Sequence, residues 1–373
     1  MIDYVEIRNT NRVLIGIIDT AQSVIWTTDY KATGEFEIYV SATPQNISLL
    51  KTGNYVTRPN DVNVGVIESI NIAYNPQDGR MIVAAGRFAK SLLDRRIIYN
   101  LSGTSITPTI SSGLVEVSVR KLITDHIISS SQSARNVPFI KLGALKNLSA
   151  KIIDDSGAAA RKQTSFGNLL EYTDELLTEY GLSSFMTLDE SLNLVYHIFA
   201  GVDRSIDNTV GNTPIIFSQD FDNLLSTEYD YQTATFKNTA LIGGAGEGVD
   251  RFCVMIGVNA TGLDRRETWI DANGQSRTYK DDSDVEQTYT DAEYTELLKT
   301  DGKQKISQQQ IVETFDGEID LTNSGLVFGS DYWIGDIVTI QDVDLGKYMN
   351  TRIITATEVQ DENGYKIDVK YGV

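Results

Sequence analysis

Cysteine and histidine are almost missing from this chain of 373 residues. Cys253 is the only cysteine, so no disulfide can form within the chain and folding needs no oxidising compartment. His126 and His197 are the only histidines, which leaves no zinc-ligand spacing and few ways to build a Ser-His-Asp or Cys-His arrangement. The sequence therefore predicts no metal site, no cofactor site and no catalytic residue.

Basic residues are also scarce. The chain has 32 Lys and Arg against 51 Asp and Glu, a formal net charge of −19 and a sequence pI near 4.5. This balance argues against a protein that binds nucleic acid through clusters of Lys and Arg in contact with phosphates. No apolar run approaches the length of a membrane span, and the first residues lack the basic and apolar regions of a signal peptide. We expect a chain made in the cytoplasm, with no stable membrane insertion.

One β pattern occurs twice. Gly53-Asn54-Tyr55-Val56-Thr57 is followed by a strand-like segment, an Asp78-Gly79 turn and a second strand, and Gly335-Asp336-Ile337-Val338-Thr339 is followed by the same series around Asn363-Gly364. Asp-Gly and Asn-Gly between apolar alternations are strong hairpin signals, because the favoured two-residue turn needs positive φ at both central residues. The sequence therefore predicts that one β-module is used twice.

The fold class follows from the spacing of the apolar residues. Alternation such as Phe36, Ile38 and Val40 against Glu35 and Glu37 indicates a sheet with one buried face. We predict a mainly β fold with α+β insertions, containing two similar small antiparallel β-barrels and a mixed α+β middle domain. The expected domains are 1–99 for the first barrel, 100–214 for the middle domain, and 215–373 for the second barrel with an inserted acidic helical segment at about 262–310.

Four helical segments are indicated by spacing and by capping signals. They are Phe88 to Ile98, a stretch around Val119 to Ile127, a helix capped by Thr164-Ser165 and ended by Gly181, and a helix opened by the capping box Thr290 to Glu293. A hairpin of Phe185–Leu188 and Leu192–Ile198 is expected around Asp189-Glu190. The sequence thus places helices mainly between the two β regions.

The glycine-rich stretch 243–248 resembles a phosphate-binding loop, but the residues after it do not have the helical pattern that such a site needs. A dinucleotide site needs a helix after the loop, whereas Phe252, Val254 and Ile256 alternate as in a strand. We interpret the stretch as a hairpin turn. Paired carboxylates, as needed by a glycosidase, are uninformative in so acidic a chain. The acidic stretch 281–301 is interpreted as a solvated face.

Histidine and tyrosine positions allow a plain structural interpretation. We expect His126 and His197 to lie on the surface or at a rim. Many of the 18 tyrosines fall on strand patterns, which fits either β propensity or use in an interface or a carbohydrate platform, and we favour β propensity with some interface use. These tyrosines include Tyr229, Tyr231, Tyr289, Tyr294, Tyr332 and Tyr348.

Four segments in a fixed order carry a family resemblance. They are Ser23–Trp26 with Gly34–Glu37, Ala85–Arg87 with Leu92–Ile98, Gly262–Glu267 with Asp271, and Asp331–Thr339. The series resembles the siphophage tail-tip hub family of long-tailed bacteriophages and related prophages, over nearly the whole chain. The resemblance implies a homotrimer with two similar β-barrels per subunit. It also implies a place at the end of the tail tube, below the distal tail protein ring and around or beneath the C-terminus of the tape-measure protein.

The internal repeat gives this resemblance a symmetry argument. A trimer can match six equivalent positions of a hexameric tube only if each subunit presents two similar modules. We therefore expect a non-enzymatic structural protein of the virion tail tip, lining the channel through which DNA passes as cargo. Part of the acidic charge would face that channel, because an anionic wall lets a polyanion slide without capture. Arg265 and Arg266, beside Asp264 and Glu267, are interpreted as an ion-pair cluster at a fold or subunit contact.

Other functions stay open at this stage. The chain ends on the expected closing strand of the second barrel, so we expect any lytic or receptor-binding task to belong to another chain, such as a receptor-binding or fibre protein. The alternative from another class is a carbohydrate-binding adhesin or spike domain, and an acidic glycosidase or peptidase is a third. The sequence does not separate a siphophage hub from its counterpart in a contractile tail or a phage-tail-like bacteriocin.

Overall fold

The computed structural model describes residues 2–76, 79–102, 104–153, 159–164, 166–257, 259–280, 285–319 and 325–372. Strands hold 42% of the chain and helices 20%, so the mainly β class is confirmed. By its contacts the chain divides into a main unit of Met1–Ile152, Ala160–Glu228 and Phe315–Val373, and an inserted unit of Ile153–Ala159 and Tyr229–Thr314. The three expected domains stay a prediction.

The first part of the chain is strand-rich, with one short helix. Thr43 caps that helix through its side chain and Pro44 opens it. The elements are β1 (Val5–Arg8), β2 (Leu14–Ile18), β3 (Ser23–Asp29), β4 (Glu35–Ser41), α1 (Pro44–Leu49), β5 (Tyr55–Thr57), β6 (Gly65–Val66), β7 (Ser69–Asn75) and β8 (Gly79–Arg87). A 3-10 helix, Ala89–Arg95, follows where the apolar spacing predicts a helix.

The middle of the chain mixes short strands with two helices. The elements are β9 (Asn100–Ser102), β10 (Ser105–Thr107), β11 (Thr109–Ser112), α2 (Val115–Ile123), β12 (Ile140–Leu142), β13 (Arg161–Thr164), α3 (Leu169–Glu179), β14 (Ser183–Leu188) and β15 (Leu194–Phe199). The β14–β15 hairpin is confirmed, as is the left-handed stop at Gly181, whose φ is +67°. The predicted cap of α3 at Thr164-Ser165 is wrong, because the side chain of Asn168 accepts from the first helical N–H groups; Ser165 itself lies outside the described residues.

The remainder of the chain contributes strands to both units. The elements are β16 (Ile216–Ser218), β17 (Leu224–Gln232), β18 (Thr239–Gly243), β19 (Cys253–Ile256), β20 (Glu267–Asp271), β21 (Thr278–Lys280), β22 (Glu286–Thr288), α4 (Asp291–Ser307), β23 (Val312–Ile319), β24 (Ile337–Asp342), β25 (Lys347–Asp361) and β26 (Gly364–Gly372). The capping box at the start of α4 is confirmed by hydrogen bonds in both directions between Thr290 and Glu293.

The main unit is built on one large sheet. Its strands follow the order β17-β23-β26-β25-β3-β4-β8-β7, and β24 joins β25 and β16. A small sheet, β2-β1-β5-β6, shares with β3, β4 and β8 a core that includes Val5, Ile7, Trp26, Phe36 and Ile38. The middle helices pack around a second core with Leu176, Leu194 and Tyr196.

The two-barrel arrangement is not confirmed. Within the described residues no closed barrel forms, and strands near both ends of the chain join a single sheet through the pairing of β3 with β25. The four-residue β1, the three-residue β5 and the two-residue β6 give a short second layer, which covers the long strands without a strand pairing between β2 and β3.

In the inserted unit, one face of a three-stranded sheet packs on α4. The sheet has the order β19-β18-β20, and its buried side chains include Ile242, Ile256 and Ile270. Tyr294 and Leu298 of α4 complete this core. The acidic stretch that includes α4 therefore buries an apolar side, as well as presenting charge to solvent; residues 281–284 of that stretch lie outside the described residues.

Candidate functional site

The sequence repeat corresponds to a repeated backbone geometry. Gly53 has φ +85° and Gly335 has φ +87°. Gly53 N–H donates to Ile67 O at 2.8 Å and Ile67 N–H donates to Asn54 O at 2.9 Å. The second copy repeats both bonds, from Gly335 N–H to Ile353 O and from Ile353 N–H to Asp336 O, each at 2.9 Å. The two copies therefore fold alike locally, and Ile67 corresponds to Ile353.

Each copy lies beside four strands that follow the same order in the central sheet. In the first copy the order is β3-β4-β8-β7, and in the second it is β17-β23-β26-β25. In both, the last pair is an antiparallel hairpin whose second strand lies inside the sheet. The copies differ beside this unit, because β5 pairs with antiparallel β1 whereas β24 pairs with parallel β16. The central sheet thus consists of two equivalent four-strand units.

The hairpin turns differ in detail from the prediction. Gly364 pairs with Asp361 across the strands, so the two loop residues are Glu362 and Asn363. Of these three turn residues only Gly364 has positive φ, at +109°. This arrangement fits a turn followed by a glycine bulge, which needs one left-handed residue instead of two. In the first copy Gly79 has φ +77°, and Asp78 lies outside the described residues.

The two four-strand units of the central sheet are joined edge to edge by β3 and β25, which pair in antiparallel fashion from Asp29↔Thr355 to Val24↔Gln360. On the solvent-facing side, Thr355 Oγ1 donates to Asp29 Oδ2 at 2.9 Å, and the hydroxyls of Thr27 and Thr357 lie 3.2 Å apart. We call this pairing the internal joint. It shows that the β25-type edge of one unit fits the β3-type edge of the next.

A buried ionic cluster lies beneath the internal joint. Arg58 Nη1 donates to Glu358 Oε2 at 2.9 Å, its Nη2 bonds the other carboxylate oxygen, and its Nε donates to Asp61 Oδ2 at 2.7 Å. The guanidinium carbon lies 5.0 Å from the ring centroid of Trp26, which is directly opposite Glu358. The hydroxyl of Tyr365 also donates to Glu358. Each charge therefore has a partner although little of it reaches water.

The ionisation behaviour of this cluster agrees with its contacts. Although burial opposes a charge on Arg58, hydrogen bonds and charge from Glu358 and Asp61 raise the pKa of Arg58. Burial, followed by the charge of Glu358, raises the pKa of Tyr365. Arg58 therefore stays a cation and Tyr365 stays a neutral donor at physiological pH.

The two ends of the central sheet are unpaired strand edges within the described residues. β7 forms one end and β17 the other. Ile72 and Tyr74 of β7 are 47% and 69% exposed, and β7 has no charged residue. In β17, Tyr231 is 51% exposed. Exposed edge strands are prone to pair with another strand, and β7 lacks the charges that usually prevent this, whereas β17 carries Glu228 and Asp230. Both edges are candidate assembly surfaces.

One face of the central sheet is open to solvent. In β3, β4, β7 and β8, and in residues 355–361 of β25 and 364–370 of β26, no residue pointing to that face is buried. Over these segments it presents five acidic and three basic side chains, a formal balance of −2. They are Asp29, Glu35, Glu37, Asp361 and Asp368, with Arg87, Lys366 and Lys370. The face is polar and weakly acidic.

The glycine-rich stretch is confirmed as a hairpin turn. β18 and β19 pair in antiparallel fashion on either side of it. Gly246 and Gly248 have positive φ, at +102° and +55°. The N–H of Ala245 donates to Tyr294 Oη at 2.8 Å, so this donor is already used within the fold. The geometry is that of a turn held by α4.

The surface position expected for His126 is wrong. α2 continues into a π-helical segment, Thr124–Ile128, and His126 is 2% exposed there, on the same side as the buried Val119 and Ile123, which precede it by seven and three residues. Burial lowers the pKa of His126. His197 is half-buried on β15, as expected for a rim, and its Nε2 lies 3.0 Å from Thr187 Oγ1. The helical spacing of His126 from Val119 and Ile123 is the sequence signal that could have placed it inside.

The expected arginine cluster is confirmed in part. Arg265 Nε donates to Glu267 Oε1 at 2.6 Å, whereas Arg266 donates to the backbone oxygen of Thr233 at 2.6 Å and lies over the ring of Phe236.

Tyr294 and Tyr332 are fully buried and Tyr348 is exposed. The burial of Tyr294 and Tyr332 fits strand and core packing better than a carbohydrate platform.

The described residues hold neither a metal-binding cluster nor a membrane-spanning helix. They contain no group of three or more His, Cys, Asp or Glu placed to hold a metal ion. No helix among them is long and apolar enough to cross a membrane.

The fold is shared with solved phage tail proteins. The tail protein from Neisseria meningitidis MC58 aligns with TM-score 0.58 at 12% identity, covering 99% of this chain and 96% of that one. The 43 kDa tail protein of prophage MuSo2 from Shewanella oneidensis aligns with TM-score 0.56 at 13% identity, covering 99% and 98%. The prophage tail protein gp18 from Listeria monocytogenes EGD-e aligns with TM-score 0.53 at 11% identity, covering 99% and 94%. At such identities the likeness establishes the fold.

Sequence comparison establishes the family. No curated protein matches the chain. The sequence model of the Siphovirus ReqiPepy6 Gp37-like proteins matches residues 4–373, nearly the whole chain. The chain therefore belongs to the Siphovirus ReqiPepy6 Gp37-like family.

Proposed function

We propose that the chain is the tail-tip hub, a homotrimer that continues the tail tube and converts its six-fold symmetry into three-fold symmetry. The observation that carries this proposal is the pair of equivalent four-strand units within one chain. Three subunits with two units each present six equivalent positions, which is the number that a hexameric ring needs.

The internal joint supports a specific way of closing the ring. In that joint a β25-type edge meets a β3-type edge, and the unpaired ends of the sheet are their counterparts, β7 and β17. Pairing β7 of one subunit with β17 of the next would repeat the internal joint at each subunit boundary. Such a head-to-tail contact closes into a ring when its rotation divides a full turn.

The open face supports a channel lining. A closed ring of these sheets would turn one face inward, and the open face has no buried residue in the strand segments described above. Its polar and weakly acidic side chains provide few sites that would hold DNA phosphates. The proposed role is structural and needs no catalytic residue of this chain. DNA would pass as cargo without being recognised.

The proposed partners follow from this position. They are two further copies of the chain, a distal tail protein ring above, the C-terminus of the tape-measure protein, and receptor-binding or fibre proteins outside. The test is a cryo-electron microscopy map of the tail tip. Three copies in one ring at the end of the tube would support the proposal, and a different copy number or a position away from the tip would overturn it.

A further inference from the structure

The structural repeat allows the internal joint to be compared, residue by residue, with the edge β7. Ile67 corresponds to Ile353 by the hydrogen bonds described above, and seven residues run from Ser69 to Asn75 as from Thr355 to Asp361. Both segments end at a hairpin pair, Asn75↔Gly79 and Asp361↔Gly364. The two strands therefore align without a gap, and Ile72 corresponds to Glu358.

The partner of Glu358 can be matched in the same way. Gly53–Thr57 aligns with Gly335–Thr339, so the next residue, Arg58, corresponds to Ile340. Val56 and Val338 are both fully buried, which confirms that the two segments point their side chains inward in the same register. Ile340 is 1% exposed. Both members of the ion pair at the internal joint thus have isoleucine counterparts in the other copy.

We infer that the joints of the ring are of two chemical kinds: the internal joint is locked by a buried ion pair, and the joint between subunits is an apolar contact centred on Ile72. The surface is the β7 edge, and its occupant is a second copy of this chain. This inference rests on the proposed trimer and describes its interface.

Burial in the internal joint identifies the occupant. Glu358 of β25 is 5% exposed because β3 covers it, whereas its counterpart Ile72 is 47% exposed on an edge that no strand covers within the described residues. The strand that would cover Ile72 in the same way is β17 of another copy, the counterpart of β3. The apolar surface near that copy's Ile340 would then replace the guanidinium that Arg58 supplies inside the chain.

The absence of charge on β7 supports an apolar joint. Its residues are Ser-Ile-Asn-Ile-Ala-Tyr-Asn, whereas strands that remain at the edge of a sheet are usually protected by charges or proline. Covering Ile72 and Tyr74 would remove apolar surface from water without desolvating any charge of β7. Association should therefore resist salt, since salt screens charges and leaves apolar contacts intact.

The experiment is sedimentation of the full chain over a series of concentrations, comparing wild type with Ile72→Glu, Ile72→Val and Ile106→Glu. Ile72→Glu should raise the midpoint concentration of trimer formation about 100-fold or more, because a carboxylate would be buried without a partner. Ile72→Val should keep the trimer. Ile106, which is 58% exposed on β10, is the matched control, and its change to Glu should leave the midpoint unchanged.

Thermal unfolding of the monomers separates association from folding. Ile72 is exposed in the single chain, so Ile72→Glu should leave monomer stability near that of wild type. Raising NaCl from about 0.05 to about 1 M, which shortens the screening length to roughly 3 Å, should leave the wild-type midpoint unchanged or lower it. A trimer unaffected by Ile72→Glu, or one dissociated by salt, would overturn the apolar joint while leaving the trimer intact. A wild type that stays monomeric at every concentration would overturn this inference together with the proposed trimer.

Discussion

Removing Arg58 should destabilise the main unit more than any exposed ion pair could. Arg58→Ala would leave Glu358 and Asp61, both nearly buried, without their shared cation. Removing one partner of a buried ion pair costs about 3–5 kcal/mol in the free energy of unfolding, chiefly because the other charge stays desolvated and unpaired. Glu358→Gln should cost less, about 1–3 kcal/mol, because Arg58 keeps its bonds to Asp61.

Urea unfolding followed by tryptophan fluorescence measures this effect, because Trp26 lies next to Arg58. The matched control is Lys121→Ala, which removes an exposed ion pair with Asp125 on α2 and should cost about 0.5 kcal/mol or less. Replacing Arg58 and Glu358 together by methionine should restore only part of the lost stability, because the Glu358 charge is removed while Asp61 still lacks its cation. An Arg58→Ala variant no less stable than Lys121→Ala would refute the reasoning.

Three further predictions concern backbone strain, pH and helix capping. Gly335→Ala should destabilise more than Gly53→Ala: both force a left-handed residue, at about 1–2 kcal/mol, but only at Gly335 would the added Cβ meet Tyr30, at 2.3 Å. Thermal unfolding of the two variants compares them. Burial lowers the pKa of His126 in the folded state below the unfolded value near 6.5, so the stability contributed by the neutral side chain is complete above that pH and is lost as the pH falls below it. Unfolding at several pH values should show that the free energy of unfolding falls less steeply in acid for His126→Asn than for wild type. Equal slopes would contradict this. Thr290→Ala should cost about 1 kcal/mol and speed amide exchange in the first turn of α4, and unchanged exchange would contradict the capping box.

Local patterns in the sequence predicted the elements well. The alternation in β4, the turn residue Gly181 and the capping box at Thr290 each act through neighbours in the chain, so their signals are visible without the fold. The repeated Gly-x-x-Val-Thr segments were found for the same reason. Their equivalence in space needed the structure, since hydrogen bonds to Ile67 and Ile353 establish it.

Long-range pairings were beyond the sequence. Arg58 and Glu358 are 300 positions apart, and nothing in their local patterns indicates that β3 and β25 pair. The burial of His126, in contrast, could have been predicted, because the residue continues the helical spacing of Val119 and Ile123. Ile72 offered a weak signal, a β strand with alternating apolar residues and no charge, which becomes meaningful only once β7 is known to be an edge.

The most direct test of the account is a map of the assembled tail tip at a resolution that traces strands. The account predicts three copies of the chain in one ring, with β7 of each subunit paired to β17 of the next and Ile72 covered at every boundary. A ring in which β7 faces solvent, or in which another surface forms the subunit boundary, would contradict it.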